Sequence, residues 1–124
     1  MKLLVSVTNR MEALEAIMGG THIVDVKNPS EGCLGANFPR IIRQVKEIVS
    51  NKVEVSAAIG DLPYLPGTAA LAALGAVVSG ANYVKAGLFG AKTPAEATTL
   101  MQEVCRAVKE YNDTSKVIAA GYAD

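Results

Sequence analysis

The sequence predicts an α/β fold in which five parallel strands alternate with four helices. Short apolar runs rich in β-branched residues alternate along the chain with segments whose apolar residues recur at helical spacing. Half of the residues (50%) are hydrophobic and only 19% are charged, a balance that suits strands covered on both faces. Alternation with short connections favours a parallel sheet with right-handed crossovers.

The first helix is predicted from its capping residues. Residues 3–7 form a short apolar run that predicts the first strand. Asn9 is a suitable N-cap, and Glu12 three places later completes a capping-box pattern. The glycine pair at 19–20 ends this helix. The apolar residues at helical spacing within it are Met11, Leu14 and Met18.

The second strand, second helix and third strand follow in the same alternation. Residues 22–27 predict a strand, and a polar, glycine-rich loop covers 28–37. A helix begins near Pro39, residues 53–59 predict the third strand, and Pro63 and Pro66 mark a loop. The helix has one apolar face, made of Ile41, Ile42, Val45, Ile48 and Val49.

The second half of the chain continues the pattern to a fifth strand. Residues 68–79 predict a helix of small side chains, 83–85 the fourth strand and 117–120 the fifth. Thr93 as N-cap and Pro94 at the first helical position predict the start of the fourth helix. Its expected buried face consists of Ala97, Leu100, Met101, Val104, Val108 and Tyr111.

Chain length leaves two architectures open. A complete (β/α)₈ barrel uses ~250 residues, or about 31 per βα unit, so 124 residues hold about four units. That length fits about half a barrel, and it also fits one complete, small, doubly wound domain. In both architectures, chemistry belongs at the carboxyl ends of the strands.

Charge and cysteine content exclude several classes of function. Twelve basic and twelve acidic residues give a formal net charge of zero, which predicts neither a nucleic-acid partner nor a membrane surface as partner. Cys33 and Cys105 lie far apart, without a CxxC motif, and are expected to be reduced thiols rather than metal ligands. Since no signal peptide or long apolar segment is present in the sequence, we expect a cytoplasmic protein.

Charged residues within otherwise apolar strands are the candidate site residues. Asp25 and Lys27 lie two apart at the end of the second strand, so both side chains point to one face. Lys85 lies at the end of the fourth strand. In a barrel each interior layer is filled from alternate strands. We therefore expect Lys27 and Lys85 to lie near each other, with Asp25 beside them.

Two neighbouring lysines suit imine chemistry on a carbonyl substrate. An ordinary lysine is neutral only about once in 2,500 molecules at pH 7, and two close ammonium groups disfavour each other's charge. The neutral amine is the nucleophile that forms a Schiff base, and Asp25 would shuttle protons or balance the remaining charge. The same spacing also fits an ordinary exposed ion pair between Asp25 and Lys27.

Other polar residues near strand ends have structural interpretations. Asp61 after Gly60 is typical of a turn or helix entry, and His22 begins a strand far from the functional end. Tyr83 shares a face with Lys85 and is expected to pack. The glycines at 87 and 90 would let a phosphate approach backbone amides. The fifth strand leads to Asp124.

Five strings combine into a specific resemblance that covers the whole chain. They are DVKNP at 25–29, EGxLGA at 31–36, SAAIGDLP at 56–63, YVKxG at 83–87 and AAGYAD at 119–124. Together they resemble the (5-formylfuran-3-yl)methyl phosphate synthase family, also called 4-(hydroxymethyl)-2-furancarboxaldehyde-phosphate synthase. The resemblance implies a TIM barrel of which residues 1–124 form the N-terminal part, within a single domain.

The same resemblance implies a Schiff-base lyase of methanofuran biosynthesis. Family members join two glyceraldehyde 3-phosphate molecules: one is isomerised, bound as an imine and condensed with the other, and loss of water and phosphate gives the furan. Lys27 would form the imine, Lys85 would accept a proton, and Asp25 would be an acid/base or orienting neighbour. The chemistry implies no cofactor and no metal.

Family members are about twice as long as this chain, and the resemblance places a further lysine and aspartate in the missing part. We therefore expect residues 1–124 alone to be inactive or nearly so. Five strands of an unclosed barrel leave two edges and uncovered apolar side chains. The expected partner is a second copy of the chain or the remainder of a longer protein.

The alternative is a non-enzymatic, flavodoxin-like or receiver-type module. Asp61 at the end of the third strand could serve as a phosphoacceptor. However, a receiver needs an acidic pair after the first strand, and Val7, Thr8 and Asn9 provide none.

Overall fold

Five strands alternate with four α-helices in the computed structural model, which describes residues 1–49 and 51–121. The strands are β1 (Leu4–Val7), β2 (Ile23–Val26), β3 (Glu54–Ala58), β4 (Tyr83–Gly87) and β5 (Lys116–Ala120). The α-helices are α1 (Arg10–Met18), α2 (Pro39–Ile48), α3 (Pro66–Val78) and α4 (Pro94–Tyr111). A single 3₁₀ turn, Pro29–Glu31, lies in the loop after β2.

The strands form one parallel sheet in chain order, β1-β2-β3-β4-β5. A flavodoxin-like domain has the order 2-1-3-4-5, so the flavodoxin-like alternative is wrong for this chain. Strands that add in chain order through right-handed crossovers place every helix on the same face of the sheet. Within the described residues, β1 and β5 are each paired on one side only.

The hydrophobic core lies between this helix-bearing face and the helices. Alternate strand residues, including Val24, Val55 and Val84, are fully buried there against residues of α2, α3 and α4. The other face, called here the inner face, is more polar. Its strand residues include Leu4, Ser6, Ile23, Asp25, Ser56, Ala58, Tyr83, Lys85 and Ile118.

Helix starts follow the capping chemistry read from the sequence. Asn9 caps α1 by accepting the Glu12 N–H at 2.9 Å, and Thr93 caps α4 by accepting the Glu96 N–H at 3.1 Å. The expected loop at Pro66 is wrong, because α3 begins there. Proline suits the first helical position, since its missing N–H has no intrahelical partner in any case.

One apolar set of α1 and one apolar residue of α4 identified in the sequence do not lie in the core. Met11, Leu14 and Met18 are exposed, although they recur at helical spacing. Helix α1 turns its opposite side, with Ala13, toward the sheet. Tyr111 is also exposed at the last residue of α4, so its assignment to the buried face is wrong.

Candidate functional site

Asp25 is the centre of a buried ion cluster on the inner face. Its side chain is 0% exposed, and its Oδ2 lies 2.9 Å from Lys85 Nζ and 3.6 Å from Lys27 Nζ. The structure therefore brings together the three residues singled out in the sequence. The interpretation of Asp25 and Lys27 as an ordinary exposed ion pair does not fit this geometry. The carboxylate is fully buried, and the side chains of Lys27 and Lys85 are only 23% and 14% exposed.

Small side chains on β3 let Lys85 reach Asp25. Strand β3 lies between β2, which carries Asp25, and β4, which carries Lys85. The inner-face residues of β3 at this height are Ser56 and Ala58, both buried. Since neither side chain is long, the lysine extends across β3 to the carboxylate two strands away.

Serines occupy the matched positions on both strands beside Asp25. The register pairs Ser6 of β1 with Asp25, and Asp25 with Ser56 of β3. Ser6 Oγ donates to Asp25 Oδ2 at 3.2 Å. Asp25 Oδ1 and Ser56 Oγ are both buried and have no hydrogen-bond partner among the described residues.

The loop after β2 fixes the backbone at Lys27. Asn37 Nδ2 donates to the carbonyl of Lys27 at 2.8 Å and to that of Thr8 at 3.0 Å. Asn28 N–H donates to the Gly35 carbonyl at 2.9 Å. A Cβ at Gly35 would lie 2.0 Å from the Asn28 oxygen, so only glycine allows this closure.

Asp61 joins the loops that follow β3 and β4. Its Oδ1 accepts the backbone N–H of Phe89 at 2.9 Å, and Pro63 pairs with Gly90 in a short parallel bridge. A Cβ added at Gly87 would lie 2.2 Å from Asp61 Oδ1, and a Cβ added at Gly90 would lie 1.9 Å from the Leu62 carbonyl oxygen. The two glycines thus serve the close contact between loops, in line with a turn role for Asp61.

The remaining polar candidates lie outside the Asp25 cluster. His22 Nδ1 accepts the Leu3 N–H at 2.8 Å at the start of β2. Tyr83 O–H donates to Glu54 Oε1 at 3.2 Å, one layer below Lys85. The same Glu54 carboxylate accepts from Lys2, and this bond raises the pKa of Lys2. Asp124 lies outside the described residues.

Both cysteines are free thiols, Cys33 exposed and Cys105 half-buried on α4. Across residues 1–49 and 51–121, no group of three or more His, Cys, Asp or Glu side chains is arranged to hold a metal ion. None of the described helices has both the length and the apolar composition required to cross a membrane.

Sequence reasoning found the charged residues of the site and missed its neutral ones. Ser6, Ser56 and Asn37 were not singled out. The two serines carry the same signal as Asp25, a polar residue at an inward position of an apolar strand. For Asn37 the sequence offers no comparable signal, because its role depends on a loop that brings it back to β1 and β2.

The fold and the cluster define an α/β protein with a lysine–aspartate site on parallel strands. A family model described as 4-HFC-P synthase matches residues 3–124. The chain therefore belongs to the 4-HFC-P synthase family.

Curated relatives carry the name (5-formylfuran-3-yl)methyl phosphate synthase. Those of Methanosarcina acetivorans and Methanothermobacter thermautotrophicus are 57% and 58% identical over 124 residues, which is 100% of this chain and 53% and 52% of theirs. The relative from Methanopyrus kandleri is 56% identical over 99% of this chain and 52% of its own length. The chain thus spans about half the length of the curated relatives it matches.

A solved structure shares the fold at low sequence identity. The TIM-barrel enzyme oxaloacetate acetylhydrolase superposes with a TM-score of 0.71 and 12% identity. The match covers 97% of this chain and 48% of the other. At this identity the comparison concerns the arrangement of strands and helices alone.

Proposed function

We propose that residues 1–124 form the first half of a TIM barrel that condenses two glyceraldehyde 3-phosphate molecules to (5-formylfuran-3-yl)methyl phosphate in methanofuran biosynthesis. The observation that carries the proposal is the buried Asp25 with two lysines on one oxygen. Family membership, the relatives' names and the shared fold support it. The reaction class is that of a carbon–oxygen lyase acting through a lysine Schiff base.

The charge balance of the cluster suits a phosphorylated carbonyl substrate. When all three side chains are ionised, two ammonium groups face one carboxylate. The surplus positive charge attracts a phosphate ester. A lysine attacks a carbonyl carbon through its neutral amine.

Exposure and distance favour Lys27 as the imine-forming residue. Lys27 Nζ is farther from Asp25 Oδ2 than Lys85 Nζ is, at 3.6 against 2.9 Å, and its side chain is the more exposed of the two. The loosely held, accessible amine is the better nucleophile. Lys85 is then the group that accepts a proton from the bound triose phosphate: it first passes its own proton to Asp25 Oδ2, 2.9 Å away, and the neutral amine takes the substrate proton.

The proposed activity requires the strands that would complete the barrel. The phosphate site of a TIM barrel is usually formed by the loops after strands 7 and 8, beyond the five strands described. Residues 1–124 alone are therefore expected to be inactive or nearly so. A protein of the relatives' length that carries residues 1–124, called here the full-length protein, is expected to be the active enzyme.

Reductive trapping tests the assignment of Lys27. The full-length protein is treated with triose phosphate and borohydride, which converts an imine into a stable secondary amine, and the labelled peptide is identified by mass spectrometry. The adduct is expected on Lys27. In the Lys27→Arg variant, which keeps the charge, no adduct is expected at that position. A label on another lysine, with Lys27 unmodified, would refute the assignment.

A further inference from the structure

The two polar atoms that lack partners lie side by side on the inner face. Asp25 Oδ1 and Ser56 Oγ belong to residues paired across β2 and β3. Both residues are 0% exposed, so within the described structure solvent does not reach either atom. One is an acceptor without a donor, and the other is a hydroxyl without an acceptor. Such groups are uncommon in native proteins because each carries an uncompensated desolvation cost.

Neighbouring parallel strands are ~4.8 Å apart, a separation that a serine hydroxyl and a carboxylate can bridge by side-chain rotation. We propose that Ser56 is a positioning residue that donates a hydrogen bond to Asp25 Oδ1 in the working enzyme. The bond itself is inferred from the geometry of β2 and β3. Its effect on catalysis rests on the proposed function.

The bond would fix the orientation of the carboxylate. Among the described residues, the contacts to Asp25 converge on Oδ2, from Lys85, Lys27 and Ser6. A carboxylate held at one oxygen can still rotate and present its other oxygen to the lysines. A donor on Oδ1 prevents that rotation and keeps Oδ2 directed at both amines. Ser56 would thus act through Asp25, without touching substrate.

A threonine and a valine variant, which pack alike, test this bond when they are compared with each other. Ser56→Thr keeps the hydroxyl, while Ser56→Val introduces a side chain of the same shape as threonine that has no hydroxyl. In the full-length protein we expect the Thr variant to melt higher than the Val variant by about 4 °C or more. We expect this difference to disappear when Asp25 is also replaced by alanine. Equal melting temperatures, or a difference that persists without Asp25, would overturn the proposal.

Ser56→Ala gives a second test through the sign of its effect. Removal of a hydroxyl that truly lacks a partner stabilises a buried site, whereas removal of a donor to a carboxylate destabilises it. We therefore expect a lower melting temperature for Ser56→Ala, and a rise would contradict the bond.

Kinetics separates positioning from a purely structural role. In Ser56→Ala we expect kcat to fall about tenfold with KM within about twofold, because a hydrogen bond to a charged group is lost while no substrate contact is. Ser56→Thr should recover kcat, and Ser56→Val should not. An unchanged kcat in Ser56→Ala would overturn the positioning role. If the unmodified protein forms no furan phosphate, the proposed function fails, and the melting comparisons still decide whether Ser56 bonds to Asp25.

Discussion

Asp25 holds two cations on one oxygen in a place that solvent does not reach. Burial of a carboxylate is costly, and here the cost is offset by Lys85 at 2.9 Å, Lys27 at 3.6 Å and the Ser6 hydroxyl. The arrangement stabilises the fold only while all partners are present. Loss of the anion leaves two ammonium groups facing each other with no compensating charge.

Asp25→Asn is therefore expected to destabilise the full-length protein by about 3 kcal/mol or more, since it breaks a buried ion cluster and leaves unpaired charge. Urea unfolding measures the change. The double variant Asp25→Asn/Lys85→Met should recover part of the loss, because one of the stranded charges is gone. Lys2→Met, which removes an exposed ion pair with Glu54, is the control and should have little effect. A double variant no more stable than Asp25→Asn would contradict this account.

Lys85 is expected to serve proton transfer and not imine formation. In Lys85→Met, borohydride should still trap an adduct on Lys27, while turnover to product should fall by about 10²- to 10⁴-fold, the usual contribution of a general acid or base. Trapping and product formation are measured on the same preparation. Loss of the Lys27 adduct in a variant that remains folded by circular dichroism would show that the two lysines are not separable in this way.

At the scale of elements, the loops after β3 and β4 are joined through glycines. A Cβ at Gly90 would come within 1.9 Å of the Leu62 carbonyl oxygen, a backbone atom that cannot move without the loop. Gly90→Ala is therefore expected to destabilise by about 1–3 kcal/mol. Gly75→Ala is the matched control: it lies within α3 with no atom within 4 Å of the added Cβ, and it should stabilise by about 0.5–1 kcal/mol. Equal changes in the free energy of unfolding for Gly90→Ala and Gly75→Ala would contradict the contact between the two loops.

The start of α1 depends on pH through Glu12. Its carboxylate accepts the Thr8 hydroxyl and the Thr8 N–H, and these bonds lower its pKa from 4.5. A lowered folded pKa contributes stability that is present above pH 4.5 and is lost as the pH falls through the folded value. The stability gap between the native protein and Glu12→Gln should therefore be below about 1 kcal/mol at pH 7 and close in acid. Thermal unfolding across pH measures it, and a gap that widens in acid would refute the assignment.

The strand and helix order could be predicted because each element carries its own local signal. Asn9 and Thr93 are capping residues whose effect is decided within one helical turn. The proximity of Asp25 and Lys85 could also be predicted from the sequence, because the carboxyl ends of parallel strands lie at the same edge of the sheet. Two features depend on tertiary packing and had no local signal: the side of α1 that faces the sheet and the return of Asn37 to β1 and β2. The start of α3 at Pro66 follows a local rule, because proline suits the first helical position, and the same residue is also typical of loops.

At the scale of the whole molecule, the inner face is incompletely covered. Leu4 of β1 and Ile118 of β5 point to this face and are 39% and 37% exposed. Both strands are edge strands in the described sheet, with backbone groups open on one side. The same side chains would line the interior of a closed barrel. Two open edges, with the exposed apolar side chains of Leu4 and Ile118 beside them on the inner face, favour association with further strands.

Residues 1–124 on their own are therefore expected to self-associate. Sedimentation velocity of the isolated chain should show dimers or larger species, whereas a barrel completed by the remaining strands should give fewer, defined species. Ile118→Lys, which places a charge on the inner face of β5, should shift the isolated chain toward monomer, and Val78→Lys, on the exposed side of α3, is the matched control. A folded monomer in dilute solution would count against the half-barrel assignment, because exposed strand edges would then need no partner.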